Sequence, residues 1–240
     1  MNIRYIFSMA WFYGFKTIRR AYSYVIASLI TPLTLLFLIY IISDGRLVTY
    51  AITGGFIAII ASNGLASAGD AAFFRLQLKI QDLFVATNIG PLDYMLGLTF
   101  SFIVFSIPGL VLYAVLGAWY HLFSLTNSLI LIGILLLLTF ATSAISFIIA
   151  GLVGHVRNVW GIISILSVVM TVLPPTFYPY RLIPQYLLYL LAISPATPAA
   201  VLAQGVFNLS PFDPVMIPVL LIETIAYVGL AIHFTRWREK

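Results

Sequence analysis

Six times between residues 22 and 234 the chain enters an apolar run that a soluble core could not shelter, at 22–42, 48–72, 94–119, 129–153, 159–173 and 215–234. A helix of about 20 apolar residues crosses about 30 Å of hydrocarbon, so these runs predict an all-α polytopic membrane protein with six transmembrane helices. The fifth run reaches spanning length only by continuing through Pro174 and Pro175. With 62% hydrophobic and 8% charged residues, the 240-residue chain has no stretch able to bury a soluble core of its own. It reads as a single transmembrane domain, and a soluble catalytic domain would have to come from another chain. The absence of cysteine excludes disulfides, thiolate metal sites and cysteine nucleophiles.

Residues 172–204 are apolar but broken by prolines, and neither 184–193 nor 198–206 is long enough to span. Such pieces must dip in and turn back. Irregular backbone at membrane depth survives only when buried in protein or lining a wet cavity, so residues 174–207 predict a re-entrant helical hairpin forming a gate or mouth.

The net charge of +5 is unevenly placed. Arg4, Lys16, Arg19, Arg20, Arg75, Lys79, Arg157, Arg236, Arg238 and Lys240 fall on one side of the predicted topology, against Arg46 and Arg181 on the other. Both termini are therefore expected in the cytoplasm and the hairpin outside. Residues 1–20 lack a small-residue cleavage site after their apolar part. On a helical wheel Arg4, Lys16, Arg19 and Arg20 share an arc, largely opposite Ile3, Ile6, Phe7, Ala10, Trp11 and Ile18, with Phe12 and Phe15 intruding on the basic side. That pattern fits an amphipathic interfacial anchor, and also a plain basic flank of the first span.

Residues 73–93 join the second and third spans with charges at Arg75, Lys79 and Asp82 among Leu76, Leu78, Ile80, Leu83, Phe84 and Val85, and end in Asn88-Ile89-Gly90-Pro91. They read as a short surface helix ending at a turn. It can serve as a docking knob for a soluble partner, with His155 and Arg157 of the next loop beside it, or be an ordinary solvated connection. In the second span Gly64, Ala68 and Ala72 recur every four residues, a helix-packing pattern in lipid. Asn63, Ser67 and Asp70 of that span fit either packing or a pathway. Glu223 stands about nine residues into the last span. It is either a pathway contact facing the bundle interior or a neutral acid bonded to a neighbouring helix. No G-x-x-x-x-G-K-[ST] cradle is present, and Gly14-Phe15-Lys16-Thr17 has the wrong spacing.

Phe177-Tyr178-Pro179, Leu182-Ile183-Pro184 and Ser194-Pro195-Ala196-Thr197-Pro198 occur in the order of the aromatic-proline, Leu-Pro and Pro-Leu-Thr-Pro elements of type-2 ATP-binding-cassette exporters. With the basic N-terminal helix and the surface helix, the whole chain resembles the membrane (permease) subunit of that family. The stretch from Lys79 to Pro91, with Ala86, Thr87 and Leu92, resembles its coupling segment, while Gly205 stands where many relatives carry arginine. The resemblance implies a cytoplasmic coupling helix between spans two and three, with Lys79, Ile80, Gln81, Asp82, Leu83, Phe84, Thr87, Asn88, His155 and Arg157 facing an ATPase. It implies a gate or pathway at Phe177, Tyr178, Pro179, Pro184, Pro195, Pro198 and Glu223. It also implies a dimer, with a second copy or a homologue, docked on two ATP-binding-cassette subunits that bind ATP and magnesium. The chain itself would hold no cofactor or metal and catalyse nothing. A lipid-like, glycan, drug or ion substrate would move outward through the cytoplasmic (inner) membrane by alternating access. Membrane lipids are expected partners, and nucleic acid is not.

Two other classes fit six spans. A secondary transporter would need its own coupling-ion site, commonly on paired broken helices, whereas one broken region and Glu223 are what this chain offers. An intramembrane hydrolase would need serine and histidine within reach, yet His121, His155 and His233 fall at span ends or in loops, and no G-x-S-x-G elbow occurs.

Overall fold

The computed structural model of the chain describes residues 2–235, and every regular element among them is helical. The N-terminal segment is α1 (Ile3–Met9), a π-helical turn (Ala10–Phe15) and α2 (Lys16–Arg20). The long helices are α3 (Tyr22–Ile42), α4 (Val48–Leu76), α6 (Pro91–Trp119), α7 (Leu125–Leu152) and α11 (Met216–Phe234), and short α5 (Ile80–Val85) lies between α4 and α6. After α8 (Val156–Thr171) come an irregular stretch, a 3-10 turn (Tyr180–Leu182), α9 (Gln185–Leu191) and α10 (Ala196–Val206).

Among the described residues five helices are long and apolar enough to cross a membrane, α3, α4, α6, α7 and α11. The sixth expected span, 159–173, is α8, which has 16 residues. It starts earlier, at Val156, and ends at Thr171 because Pro174 and Pro175 bias the residues before them away from helix and supply no N–H. Other bounds shift by as much or slightly more. α4 runs on to Leu76, α6 begins at Pro91 and α7 at Leu125. The surface helix shrinks to the 6 residues of α5.

α4 is the central post, packed against α3, α6, α7, α8 and α10. Its small residues permit this. A Cβ on Gly64 would lie 2.1 Å from Oγ1 of Thr142, and Ser146 Oγ donates to the carbonyls of Gly64 at 2.6 Å and Leu65 at 2.9 Å. The Gly64, Ala68, Ala72 stripe is thus a packing seam, and Ala68 and Ala72 are fully buried.

Near one end of the bundle the N-terminal segment docks on α6. Asp93 accepts from the backbone N–H of Asn2 at 2.8 Å and of Gly90 at 3.1 Å. Arg75 donates to the carbonyls of Gly151 at 2.9 Å and Val153 at 2.7 Å, joining the ends of α4 and α7. At the opposite end the irregular stretch is buried from Pro174 to Phe177 and lies directly on α4. A Cβ on Gly54 would approach the Thr176 carbonyl oxygen to 2.1 Å.

Gly54→Ala is therefore expected to displace this stretch and destabilise the protein by about 1–3 kcal/mol, the usual range for overpacking. Gly133→Ala, inside α7 where nothing lies within 4 Å, should be neutral or stabilise by up to about 1 kcal/mol. Thermal unfolding of both variants in detergent checks the contrast.

Candidate functional site

α3 and α8 both rest on α4 without packing closely on each other, which leaves a groove along the bundle. The groove encloses about 360 Å³ and carries Ser28, Thr31, Asn63, Ser164, Ser167 and Thr171 on its walls. Ser28 donates to the Val25 carbonyl at 2.7 Å, Ser164 to that of Trp160 at 2.9 Å, and Thr171 to that of Ser167. Their protons are spent on their own helices, so their oxygens are left as acceptors toward the groove. The Asn63 amide donates across to Ser106 Oγ of α6 at 2.8 Å.

Toward the termini the groove adjoins a second cavity of about 290 Å³, and Tyr24 and Trp160 line both. Asp70, Tyr13, Ser101, Phe102 and Phe105 complete its wall. Trp160 sits where α4 offers Gly69, whose Cβ would come within 2.5 Å of the indole. Tyr13 belongs to the π-helical turn, and Gly14 beside it is held against α6, where a Cβ would lie 2.8 Å from the Ser101 carbonyl oxygen. The Tyr13 hydroxyl interacts with the Asp70 carboxylate. Burial, and then that carboxylate, raise the Tyr13 phenol far above its ordinary range, so it serves as a donor. At the far end Phe177 is buried against Leu35, Leu36 and Ile39 of α3 and Ala51 and Ala58 of α4, beyond the last groove residues.

The other predicted gate residues build the cap over that end. Pro179 precedes the 3-10 turn, exposed Pro184 precedes α9, and buried Pro195 and Pro198 begin α10. Tyr178 donates to the Leu173 carbonyl at 2.8 Å. The clamp on the first part of this cap is Gln204, which the sequence analysis missed. Its amide donates to the carbonyls of Pro175 at 2.7 Å and Tyr178 at 2.9 Å, and its oxygen accepts from the Tyr180 N–H at 3.1 Å and Ser210 Oγ at 3.3 Å. A buried polar side chain amid apolar α10 was the available signal. At Gly205 an arginine would have no room, since even a Cβ would lie 2.9 Å from Cα of Phe212.

Glu223 is on α11, which packs mainly on α7 and α10 rather than beside the groove. Its Oε2 is buried without a hydrogen-bond partner. Among the expected docking residues Lys79, Leu83, Thr87, Asn88, His155 and Arg157 are exposed and Ile80 is half-buried. Gln81 is buried, and Phe84 turns inward with its ring 5.3 Å from Tyr5 and 5.9 Å from Tyr94. The Asp82 side chain and residues Arg236, Arg238 and Lys240 lie outside the described set. Of the expected anchors, Arg4, Arg19 and Arg20 are exposed, and Lys16 lies over the Phe12 ring at 4.1 Å. Ile3, Phe7 and Trp11 face an apolar recess of about 510 Å³ against α6.

A family model described as ABC-2 type transporter matches residues 6–208, from α1 to just past α10. No curated protein gives a significant match.

Gln204→Leu should leave the Pro175 and Tyr178 carbonyls and the Tyr180 N–H without their partner. A loss of about 2–4 kcal/mol is expected, from about 1–3 kcal/mol per unsatisfied buried group with partial rescue by water. Thermal unfolding, with protease cleavage mapped to residues 174–183, checks it.

Proposed function

The chain belongs to the ABC-2 type transporter family as a membrane-embedded permease subunit, and from that premise we propose that its cargo moves along the groove between α3, α4 and α8. The observation that carries the reading is continuity. Polar groups recur along the wall from Asp70, past Tyr24 and Trp160, to Thr171 at the edge of the cap. A groove open along one side in a hydrocarbon setting needs a second wall. A second copy of the chain, or a homologue, presenting the same face would supply it, and α3, of which Pro32 alone is buried, has its surface free for that contact.

In this reading the residues after Pro174 form a re-entrant cap on the outer side, with Phe177 as its plug. The support is depth. The Ile193 carbonyl, at the turn between α9 and α10, accepts from the Tyr227 hydroxyl at 2.6 Å, and Tyr227 lies about 16 Å along α11 from its Met216 end at 1.5 Å per residue. The termini and the two loops beside α5 and α8 face the cytoplasm of an inner-membrane exporter. There a separate ATP-binding-cassette subunit, with its ATP and magnesium, docks on α5. Leu83, 66% exposed, is the apolar contact, while Phe84 anchors α5 to the permease itself.

Filling the groove tests the pathway. Ser167→Trp in the assembled complex is expected to cut transport by at least about tenfold while ATP hydrolysis continues, because a bulky group blocks cargo without touching the docking face. Transport at the normal rate would exclude this route. For the docking face, Leu83→Asp should uncouple hydrolysis from transport in a stably inserted protein, whereas Phe84→Asp should lower the unfolding temperature itself. Equal thermal stability of the two variants would count against the assignment.

A further inference from the structure

We propose that the Asp70 cavity is a recognition site for a lipophilic cation, an amine or quaternary ammonium whose charge rests on Asp70 within the ring of Tyr13, Tyr24, Phe102, Phe105 and Trp160. The proposal rests on the groove being the pathway, and it narrows the cargo to one charge class.

The charge argument comes first. Asp70 is half-buried on α4 where the cavity opens beside it, and the Tyr13 hydroxyl is its partner. It forms no ion pair among the described residues. Of the cations near the cavity wall in sequence, Lys16 lies over Phe12 and Arg75 is held on two carbonyls, while Arg19 and Arg20, beside Ala21, are exposed and do not line the cavity. A carboxylate partly removed from water without a cation is unfavourable, and an incoming cation relieves that. An anionic cargo would meet repulsion at the same point.

The walls give the second argument. Phe105 stands 5.3 Å from Tyr24 and 6.3 Å from Phe102, so these three rings form one aromatic wall, and Tyr13 and Trp160 line the cavity beside it. Aromatic faces attract cations, most strongly where water is excluded and the cation is poorly hydrated. The remaining polar wall groups are the hydroxyls of Thr17 and Ser101, which carry no charge. The cavity volume of about 290 Å³ admits a substituted ammonium with an aryl or short alkyl arm.

The third argument is the backbone. Tyr13 stands in a π-helical turn, a rare conformation that recurs at functional sites. The simplest competing role for the Tyr13–Asp70 contact is a tether for the N-terminal segment. The two roles separate on Tyr13→Phe. A tether fails without the hydroxyl, whereas a cation site keeps its ring and gains an unencumbered carboxylate.

The test uses the full chain in nanodiscs of zwitterionic lipid, with radiolabelled benzyltrimethylammonium in equilibrium dialysis. Its uncharged isostere neopentylbenzene serves as competitor. Saturable binding is expected that neopentylbenzene does not displace. Asp70→Asn should weaken it by at least about tenfold and Trp160→Leu by about two- to fivefold, and Tyr13→Phe should bind no more weakly than the parent. No saturable binding, displacement by neopentylbenzene, parental affinity in Asp70→Asn, or weakened binding in Tyr13→Phe would each overturn the proposal. Should Asp70→Asn fail to fold, parental affinity in Trp160→Leu would do so. The assay needs neither ATPase nor transport, so it separates the two readings. Asp70-dependent binding with undiminished transport in Ser167→Trp would remove the pathway and leave the cation site, and the reverse pattern would remove the cation site alone.

Discussion

Close backbone approach along α4 sets the position of almost everything else in the bundle. In lipid there is no water to expel between helices, so association depends on van der Waals contact and on hydrogen bonds that small residues make reachable. α4 offers a different gap to each neighbour. Gly54 receives the Thr176 backbone, Gly55 the Tyr113 ring of α6, Gly64 the Thr142 hydroxyl of α7, and Gly69 the Trp160 indole of α8. The groove is a by-product of this arrangement, because α3 and α8 each settle on α4 and are thereby held apart. Its polar lining follows from the same packing, which places Ser164, Ser167 and Thr171 along the α8 wall.

The element pattern was legible wherever apolar length decided the matter. Five runs became membrane-length helices with modest shifts at their ends, and the prolines of 174–198 fall at helix starts or in irregular backbone. Length failed at α8, where the apolar composition continues past Thr171 but the backbone cannot. The small-residue stripe of α4 was readable as packing. The π-helical turn was not, since it depends on how Gly14 seats against Ser101 of α6, a contact between residues far apart in sequence.

The groove was half legible. Trp160, Ser164, Ser167 and Thr171 recur at helical spacing on one face of α8, a signal present in the sequence and overlooked in favour of Glu223. Asp70 stands out as a polar residue of its span, but its setting depends on four other segments meeting there, the N-terminal segment, α3, α6 and α8. One-dimensional periodicity shows which residues share a face. It does not show which two helices leave a gap between them. Phe84 illustrates the same limit, because Leu83 and Phe84 are equally apolar in sequence and only the rings of Tyr5 and Tyr94 turn one inward.

That distinction bears on how a push at one end could reach the other. Phe84 ties α5 to Tyr5 of α1 and Tyr94 of α6, and Asp93 fastens both the start of α1 and the turn before α6. Arg75 joins the α4 end to the carbonyls closing α7. A force applied at α5 therefore falls on α1, α4, α6 and α7 together rather than on a loose loop. α4, with 29 residues, is about 43 Å long at 1.5 Å per residue. It carries Asp70 near one end and Gly54, under Thr176, near the other. A tightly packed helix moves as a body, because its contacts are discrete and resist gradual deformation. For cargo moving along the proposed groove, a tilt of α4 would shift the Asp70 cavity and the seat of the cap in a single movement.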